Sequence, residues 1–255
     1  MNIKKAYLTI DDSPSKDFRA KVDFLYGKNI PAIFFCTGEN LQKYEEDAIY
    51  AVHKGFVIGN HSFSHPHFSD LSLEQCELEI KRTDEIIQRI YQKSGIKLPA
   101  KFFRFPYFDS GGDLSSAEFE EKWLMPPYER LLYKKDDKRK ALQSFLQELG
   151  YSQPNFQGLD HSWLHEHKLL DAIDVRCTFN QMEYWLDAAN APRGLNKAEA
   201  ILARIDGEFA NQSSAFHDQE TTEIILIHDH EKTTWLFYQI IDRYLEKGIQ
   251  FISPL

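Results

Sequence analysis

The chain is poor in cysteine, in net positive charge and in long apolar runs, and each shortage excludes a class of protein. Only three cysteines occur among 255 residues, and their odd number and wide spacing exclude a disulfide framework. Lys and Arg total 30 against 39 Asp and Glu, for a formal charge of −9. That balance argues against a surface for nucleic acid or anionic membrane. No apolar run approaches the ~20 residues of a membrane-spanning helix.

The length and the first residues set expectations for organisation and location. A chain of 255 residues is long enough for one α/β barrel, and we expect a single catalytic domain over residues 1–255. Core-like residues begin at Ala6, so we expect that these first residues do not act as a leader. We therefore expect a reducing, cytoplasmic setting, or export if the chain has been trimmed. We also expect no membrane insertion, while the oligomeric state stays open.

Apolar strands and amphipathic helices alternate through the first hundred residues. Repeated βα units predict a parallel sheet, open or closed into a barrel. Ser72 and Gln75 form a capping-box pattern before the clearest helix. The predicted strands are Ala6–Ile10, Pro31–Thr37, Phe56–Gly59 and Lys101–Phe105, and the predicted helices are Asp17–Tyr26, Leu41–His53 and Leu73–Lys93.

The middle of the chain departs from this alternation. Two segments, near residues 111–149 and 164–222, are interpreted as insertions with helical patterns. Elements predicted there and beyond include helices at Ala117–Leu124, Tyr128–Leu149, Tyr184–Ala189, Ala198–Ile205 and Thr234–Glu246, and strands at Ile173–Phe179, Glu223–Ile227 and Ile249–Ile252.

Polar side chains follow several predicted strands. Asp11 and Asp12 end the first strand, His61 and His65 follow the third, Arg104 lies in the fourth, and His228 closes a later one. In barrel enzymes the carboxyl ends of parallel strands build the active site. His61 and His65, four residues apart, would point to one side of a helical turn.

These groups together have the chemistry of a hydrolase. Asp12, His61 and His65 could hold a metal with an open position for water, as catalytic rather than structural sites do. Asp11, expected on the opposite phase of the strand, could act as general base and pair with Arg104. His228 could stabilise an oxyanion and protonate a leaving amine.

The chain resembles the polysaccharide deacetylase family (NodB homology, carbohydrate esterase family 4). Its four matching motifs occur in order: Thr9-Ile10-Asp11-Asp12 for TFDD, His61-Ser62-Phe63-Ser64-His65 for H(S/T)xxH, Arg104-Phe105-Pro106-Tyr107 for RxPY, and Leu226-Ile227-His228 for LxH. The resemblance implies a distorted (β/α) barrel of about seven βα units. It also implies Asp11 as base, Asp12, His61 and His65 as metal ligands, and His228 as acid.

The same resemblance implies a substrate site and a metal. Pro106 and Tyr107 would bind substrate, with the Tyr107 backbone N–H in an oxyanion hole, and Leu226 would line the pocket for the acetyl methyl. The substrate implied is an acetylated amino sugar or polysaccharide. The His2Asp set favours zinc, and cobalt, nickel or manganese would be accepted by the same groups.

Departures from the family pattern leave the carboxylate of the fourth motif unassigned. Ser13 and Phe108 replace usual glycines, and the fourth motif, DxxDW, is degraded. Asp160-His161-Ser162-Trp163 is the best candidate, which assigns Asp160 to support Arg104. Asp174 is the rival carboxylate. Trp163, Tyr184 and Trp185 could stack on a sugar ring, with apolar packing as the alternative role. Two other functions stay open: hydrolysis of a cyclic amide such as allantoin, and carbohydrate binding without catalysis.

Overall fold

The computed structural model describes residues 4–112, 137–166, 169–206 and 221–255. The predicted helix at 117–124 and the first part of that at 128–149 lie outside these ranges. Within them, the chain alternates between strands and helices as the sequence predicts. The strands are β1 Lys5–Ser13, β2 Ala32–Cys36, β3 Val57–Asn60, β4 Phe179–Asn180, β5 Glu223–His228 and β6 Gln250–Phe251.

The strands form one parallel sheet in the order β3-β2-β1-β5-β4, with β6 also paired to the start of β1. The sheet curves toward closure through two segments that are barely strand. Residues 102–104 exchange backbone hydrogen bonds with Asn60, and Val175 N donates to the Phe103 carbonyl. Thr178 N then donates to the Ile224 carbonyl of β5. These bonds complete a ring, the distorted barrel that the sequence predicts.

Two predicted strands are therefore wrong in extent. Lys101–Phe105 makes only isolated bridges, Asn60 to Phe103 and Lys101 to Tyr151. Of Ile173–Phe179, only Phe179 lies in a strand, β4, and Val175 N and Thr178 N make single backbone bonds to Phe103 and Ile224. In the second segment the Arg104 side chain donates to the carbonyls of Val175 and Arg176, which are then not available for ladder pairing.

Eight α-helices surround the described part of the sheet. They are α1 Phe18–Gly27, α2 Gly38–Lys43, α3 Glu45–His53, α4 Leu73–Ser94, α5 Asp137–Glu148, α6 Ser162–Glu166, α7 Ala198–Ala203 and α8 Thr234–Glu246. The predicted helix Leu41–His53 is split into α2 and α3 at Tyr44. The predicted helix Tyr184–Ala189 is only a 3-10 turn, Glu183–Trp185.

The long helix α4 begins and ends as its sequence predicts. The Ser72 side chain accepts from Gln75 N, and the Gln75 side chain accepts from Ser72 N, which completes the capping box. Gly95 ends the helix with φ 69°, a conformation that glycine adopts without strain. No helix in the described ranges is long and apolar enough to cross a membrane.

Alternation along each strand separates two apolar layers. Ala6, Leu8 and Ile10 of β1 face the helices and belong to the large core with α1, α3, α4 and α8. Tyr7 faces the other way, into the barrel interior, together with Ile224 and Leu226 of β5. This period of two carries Thr9, Asp11 and His228 onto the interior face at the carboxyl end of the barrel.

Candidate active site at the carboxyl end of the barrel

A cleft of about 600 Å³ opens at the carboxyl ends of β1, β2, β3 and β5. Seven of the residues predicted from the sequence line it: Asp11, Asp12, His61, His65, Tyr107, Leu226 and His228. They come from four separate parts of the chain, so the barrel brings together the groups that the strand-end argument selects.

Both carboxylates of the Asp11-Asp12 pair reach this cleft, although neighbours on a regular strand point to opposite faces. The pairing of β1 with β2 shifts register between Ile10 and Ser13, and Asp12 has φ 64°. The irregularity turns the Asp12 side chain toward the same side as Asp11. Asn40 Nδ2 donates to the Asp12 carbonyl oxygen at 2.9 Å and fixes this turn.

His61 and His65 do not lie on a helical turn, so that part of the prediction is wrong. The loop after β3 contains two left-handed residues, Ser62 with φ 65° and His65 with φ 59°. Glu79 of α4 accepts from Phe63 N at 2.9 Å and Ser64 N at 2.8 Å. The anchored loop nevertheless places the two imidazoles 4.9 Å apart, centroid to centroid.

Asp12, His61 and His65 are arranged as a metal site. One ligand atom from each lies within 4.8 Å of the others. His65 Nε2 is 3.1 Å and His61 Nε2 is 3.7 Å from Asp12 Oδ1. That oxygen is buried and has no hydrogen-bond partner among the described residues. A buried carboxylate oxygen facing two imidazole nitrogens fits a divalent cation, since buried charge is otherwise paired.

The protonation states agree with that fit. Burial lowers the pKa of His61 to about 4, against the opposing field of Asp11, so its imidazole is neutral. His61 Nδ1 donates to the Arg104 carbonyl at 2.8 Å, which leaves the Nε2 lone pair for a metal. Burial raises the pKa of Asp12, but His65 and His230 outweigh it and hold that pKa well below its usual range.

Arg104 is fully buried and holds Asp11 rather than a distant carboxylate. Its Nη1 donates to Asp11 Oδ1 at 2.7 Å and to Thr9 Oγ1 at 2.9 Å. Its Nε and Nη2 donate to the carbonyls of Val175 and Arg176, at 3.1 and 3.2 Å. The guanidinium thus also takes the carbonyls that a regular strand pairing would use.

Neither carboxylate predicted to steady Arg104 does so. The Asp160 side chain is 86% exposed, and its ion pair in the described structure is with His165, at 3.6 Å. Asp174 pairs instead with Arg176, Oδ2 to Nε at 2.7 Å. Both predictions are wrong because Asp11, Thr9 and two main-chain carbonyls satisfy the guanidinium.

His228 has a partner that sequence reasoning missed. Its Nδ1 lies 3.0 Å from Glu183 Oε1, which also accepts from His228 N. Burial lowers the pKa of His228, but Glu183 outweighs it, with help from Asp12 and Asp11, and raises that pKa to about 9. Glu183 begins a 3-10 turn with no periodic signal, so only a search for a buried carboxylate near His228 could have found it.

The predicted substrate residues divide into those in the cleft and those outside it. Tyr107 (φ 56°) and Leu226 line the cleft. Pro106 is buried at the start of the 3-10 turn that carries Tyr107 and does not line it. The His67 ring stacks on Tyr107 at 3.9 Å and 2°, which supports the turn from its other side.

Trp163, predicted to bind substrate, does not line the cleft, so this prediction is wrong. It lies beside His161, ring centroids 5.9 Å apart, and His161 contacts Glu223 at the amino end of β5. Tyr184 does line the cleft, edge-on to His228 with centroids 4.8 Å apart. The Asp160–Trp163 segment therefore does not serve as the fourth motif.

His230 is the second residue that the sequence analysis missed. Its Nε2 lies 2.8 Å from Asp12 Oδ2, and it lines the cleft two residues beyond His228. The signal was present: the alternation of β5, extended past its end, places His230 on the same face as His228.

The sequence relates the chain to known deacetylases. Residues 1–118 match the family model described as Polysaccharide deacetylase. The peptidoglycan-N-acetylglucosamine deacetylase of Bacillus cereus is 35% identical over 107 residues, which are 42% of this chain and 37% of that protein. The peptidoglycan-N-acetylmuramic acid deacetylase PdaC of Bacillus subtilis is 36% identical over 90 residues, 35% of this chain and 19% of that protein. The chain thus spans well under half the length of these relatives.

Solved structures extend the likeness over nearly the whole chain. Peptidoglycan deacetylase PdaC from Bacillus subtilis superposes with a TM-score of 0.58 at 19% identity, covering 99% of this chain and 88% of that one. A CE4 family pseudoenzyme from Bacillus anthracis gives 0.58 at 16% identity, covering 98% and 64%. At such identities the likeness shows the fold alone, and it confirms the predicted fold class.

Proposed function

Because residues 1–118 relate the chain to the polysaccharide deacetylase family, we propose that the protein is a metal-dependent hydrolase of acetylated sugars. It would remove an acetyl group from an N-acetylated or O-acetylated sugar or polysaccharide. The observation that carries the proposal is the convergence of Asp12, His61 and His65 beside Asp11 and His228 in one cleft.

Asp12, His61 and His65 would hold the cation through Oδ1 and imidazole nitrogens. Three protein ligands of this kind leave room for water or substrate, as in other catalytic sites. Zinc suits the donor set best, and cobalt, nickel or manganese would also bind. When bound, the cation supplies Lewis acidity toward water and the acetyl carbonyl.

Asp11 is the proposed general base. Its Oδ1 is held by Arg104 at 2.7 Å, so the second oxygen, 3.6 Å from His61 Nε2, faces the metal ligands. Oδ2 would take the proton of the attacking water as the oxygen bonds to the acetyl carbon. The guanidinium fixes the carboxylate in this orientation, which is the positional requirement for a general base.

His228 is the proposed general acid. With a pKa of about 9, it is an imidazolium near neutral pH and carries the proton that the leaving nitrogen or oxygen needs. Cleavage of the C–N or C–O bond would then release acetate and an amine or alcohol. Glu183 on Nδ1 leaves Nε2 as the donating nitrogen, in the manner of a carboxylate that orients a catalytic histidine.

The cleft walls fit a sugar ring with an acetyl group. Tyr107 lies beside His65 and Tyr184 beside His228, and Leu226 would supply an apolar contact for a methyl group. Sugar rings present apolar C–H faces that aromatic side chains cover. We assign the substrate to this class.

The test is acetate release by the metal-depleted protein reconstituted separately with zinc, cobalt, nickel and manganese. The panel contains N-acetylated chitooligosaccharides, peptidoglycan fragments, O-acetylated xylan and the ureide allantoin. We expect acetate from an acetylated sugar, lost together with bound metal in His61→Ala and retained in the matched surface variant His53→Ala. Full activity in the presence of a chelator would show that no metal is required. Cleavage of allantoin without acetate release would identify a cyclic amide hydrolase. Sugar binding without turnover would identify a binding protein that is not an enzyme.

A further inference from the structure

The two oxygens of the Asp12 carboxylate have different environments. Oδ2 lies 2.8 Å from His230 Nε2. Oδ1 is buried without a hydrogen-bond partner in the described ranges and faces His65 at 3.1 Å and His61 at 3.7 Å. One oxygen is thus hydrogen-bonded, and the other is left for an ion.

The proton in the contact with His230 belongs to the imidazole. A carboxylate that binds a metal is deprotonated, so both of its oxygens can only accept hydrogen bonds. His230 Nε2 must therefore be the donor. A hydrogen bond to an ionised acceptor is stronger and more directional than a neutral one.

The backbone of His230 is anchored in a way that presents the ring. Its carbonyl accepts from Lys21 Nζ at 3.3 Å, Thr233 N at 3.3 Å and Thr234 Oγ1 at 3.3 Å. Lys21 is itself fully buried and ion-paired with Asp229 at 2.5 Å. A buried network thus fixes the chain on both sides of the ring, while the ring remains 31% exposed in the cleft.

We infer that His230 is a positioning residue of the metal site: it occupies Asp12 Oδ2 and leaves Oδ1 as the one oxygen that binds the ion. This rests on the metal-dependent function proposed above. A carboxylate that bound through both oxygens would take an additional coordination position, one that water or substrate needs in a catalytic site. His230 would thereby set metal affinity and keep that position open.

The positioning role is consistent with the constraint on the Asp12 backbone. Asp12 has a positive φ and its carbonyl is held by Asn40, so the main chain is fixed on one side and the carboxylate on the other. Hydrogen bonds to metal-ligating carboxylates orient the ligand, and losing such a contact costs about 10–100-fold in metal affinity.

The experiment measures metal binding rather than turnover. Zinc affinity, from competition with a chromogenic chelator, and the visible spectrum of bound Co²⁺ are compared in wild type, His230→Phe, His230→Ala and His230→Gln. His230→Phe keeps an aromatic ring but has no hydrogen-bond donor. His230→Ala also removes the donor and controls for any steric effect of the phenylalanine ring. His230→Gln supplies an N–H donor again. His165→Gln, at an exposed histidine, is the matched surface control.

We expect zinc affinity to fall about 10–100-fold in the Phe and Ala variants, with an altered Co²⁺ spectrum, and to recover in the Gln variant. Wild-type affinity and spectrum in both donorless variants would overturn the inference while wild type still binds metal. Loss of binding as complete as in His61→Ala would make His230 a ligand and also overturn it. Absence of metal binding by the wild type would instead overturn the proposed function, and the inference with it.

Discussion

The two ends of the barrel each hold a buried cluster of histidine and carboxylate, and they differ in how fully the carboxylate is bonded. At the amino end, Glu223 accepts from Lys4 Nζ at 2.7 Å, Thr178 Oγ1 at 2.6 Å and Thr221 Oγ1 at 3.1 Å, and contacts His161 Nε2 at 3.0 Å. At the carboxyl end, Asp12 Oδ1 accepts no hydrogen bond from the described residues, although His65 Nε2 lies 3.1 Å from it.

The difference separates a structural cluster from a candidate site. Burial raises the pKa of Glu223, but its bonds to His161, Lys4 and Thr178 outweigh it, so that the pKa is lowered. Every oxygen of this ion is used within the protein. An ion that retains a buried, unbonded oxygen beside two imidazoles has a binding capacity that the protein does not fill. Residue types alone do not distinguish the two ends.

The largest expected effect is at the carboxyl end, in Asp11→Asn. Removing the proposed base lowers kcat by about 10²–10⁴-fold, the usual contribution of general base catalysis. Asparagine keeps an acceptor for Arg104 but removes its buried anion, so we also expect a loss of about 3 kcal/mol in the free energy of unfolding. Steady-state kinetics on the best acetylated substrate measure the effect, and thermal unfolding checks the fold. A kcat within tenfold of wild type would mean that Asp11 is not the base.

A substitution of the same kind at the amino end should affect stability and spare catalysis. Glu223→Gln removes the anion that Lys4 and His161 contact in a buried place. Breaking a buried ion pair in this way costs about 3 kcal/mol in the free energy of unfolding. Urea unfolding measures that loss, and kcat of the folded protein should equal that of wild type. A drop in kcat with unchanged stability would erase the distinction between the two ends.

What the sequence could predict of this site is the part that strands impose. Asp11, Asp12 and His228 end apolar strands, so their place at the barrel mouth follows from the strand ends. Periodicity also predicts the direction of Asp11 and His228, whereas Asp12 turns toward the cleft through the irregularity in β1. Glu183 could not be found this way, because it lies in a short 3-10 turn whose position depends on tertiary packing. The sequence predicted that a helical turn brings His61 and His65 together. In the structure, a loop with two residues of positive φ brings them together instead.

The errors in the fold have a related cause. Lys101–Phe105 has the composition of a buried strand, but Arg104 stands in its middle and bonds to the carbonyls of Val175 and Arg176. A side chain that takes main-chain acceptors from the neighbouring segment replaces ladder pairing. Composition predicts burial of this segment correctly and cannot predict which groups use its hydrogen bonds.

A smaller, pH-dependent effect should appear in Glu183→Gln. Glutamine keeps the acceptor for His228 N but removes the charge that raises the pKa of the imidazole to about 9. In wild type the general acid is lost as pH rises through that value. The His228–Glu183 ion pair stabilises the fold fully below 6.5, the pKa of the histidine in the unfolded chain. That stabilisation is lost as pH rises from there through about 9, the pKa of His228 in the folded protein.

In Glu183→Gln the alkaline limb of kcat should move toward 6.5, the ordinary value for histidine. The pH profile of kcat measures the limb, and an NMR titration of His228 assigns it. Asp160→Asn, at an exposed carboxylate, is the matched control and should leave the profile unchanged. An unchanged limb in Glu183→Gln would assign the acid to another group.

The smallest expected effect contrasts one aromatic residue from each end. Tyr184→Leu removes a ring from the cleft wall and should raise KM about fivefold, since an aromatic contact of about 1 kcal/mol is lost. Trp163→Leu makes the same change beside His161 at the amino end, where it should lower stability by about 1 kcal/mol and leave KM unchanged. Substrate titrations and urea unfolding of both variants measure the contrast. A larger rise in KM for Trp163→Leu than for Tyr184→Leu would place sugar binding at the amino end. In that case Trp163 would contact the sugar and Tyr184 would only pack within the fold.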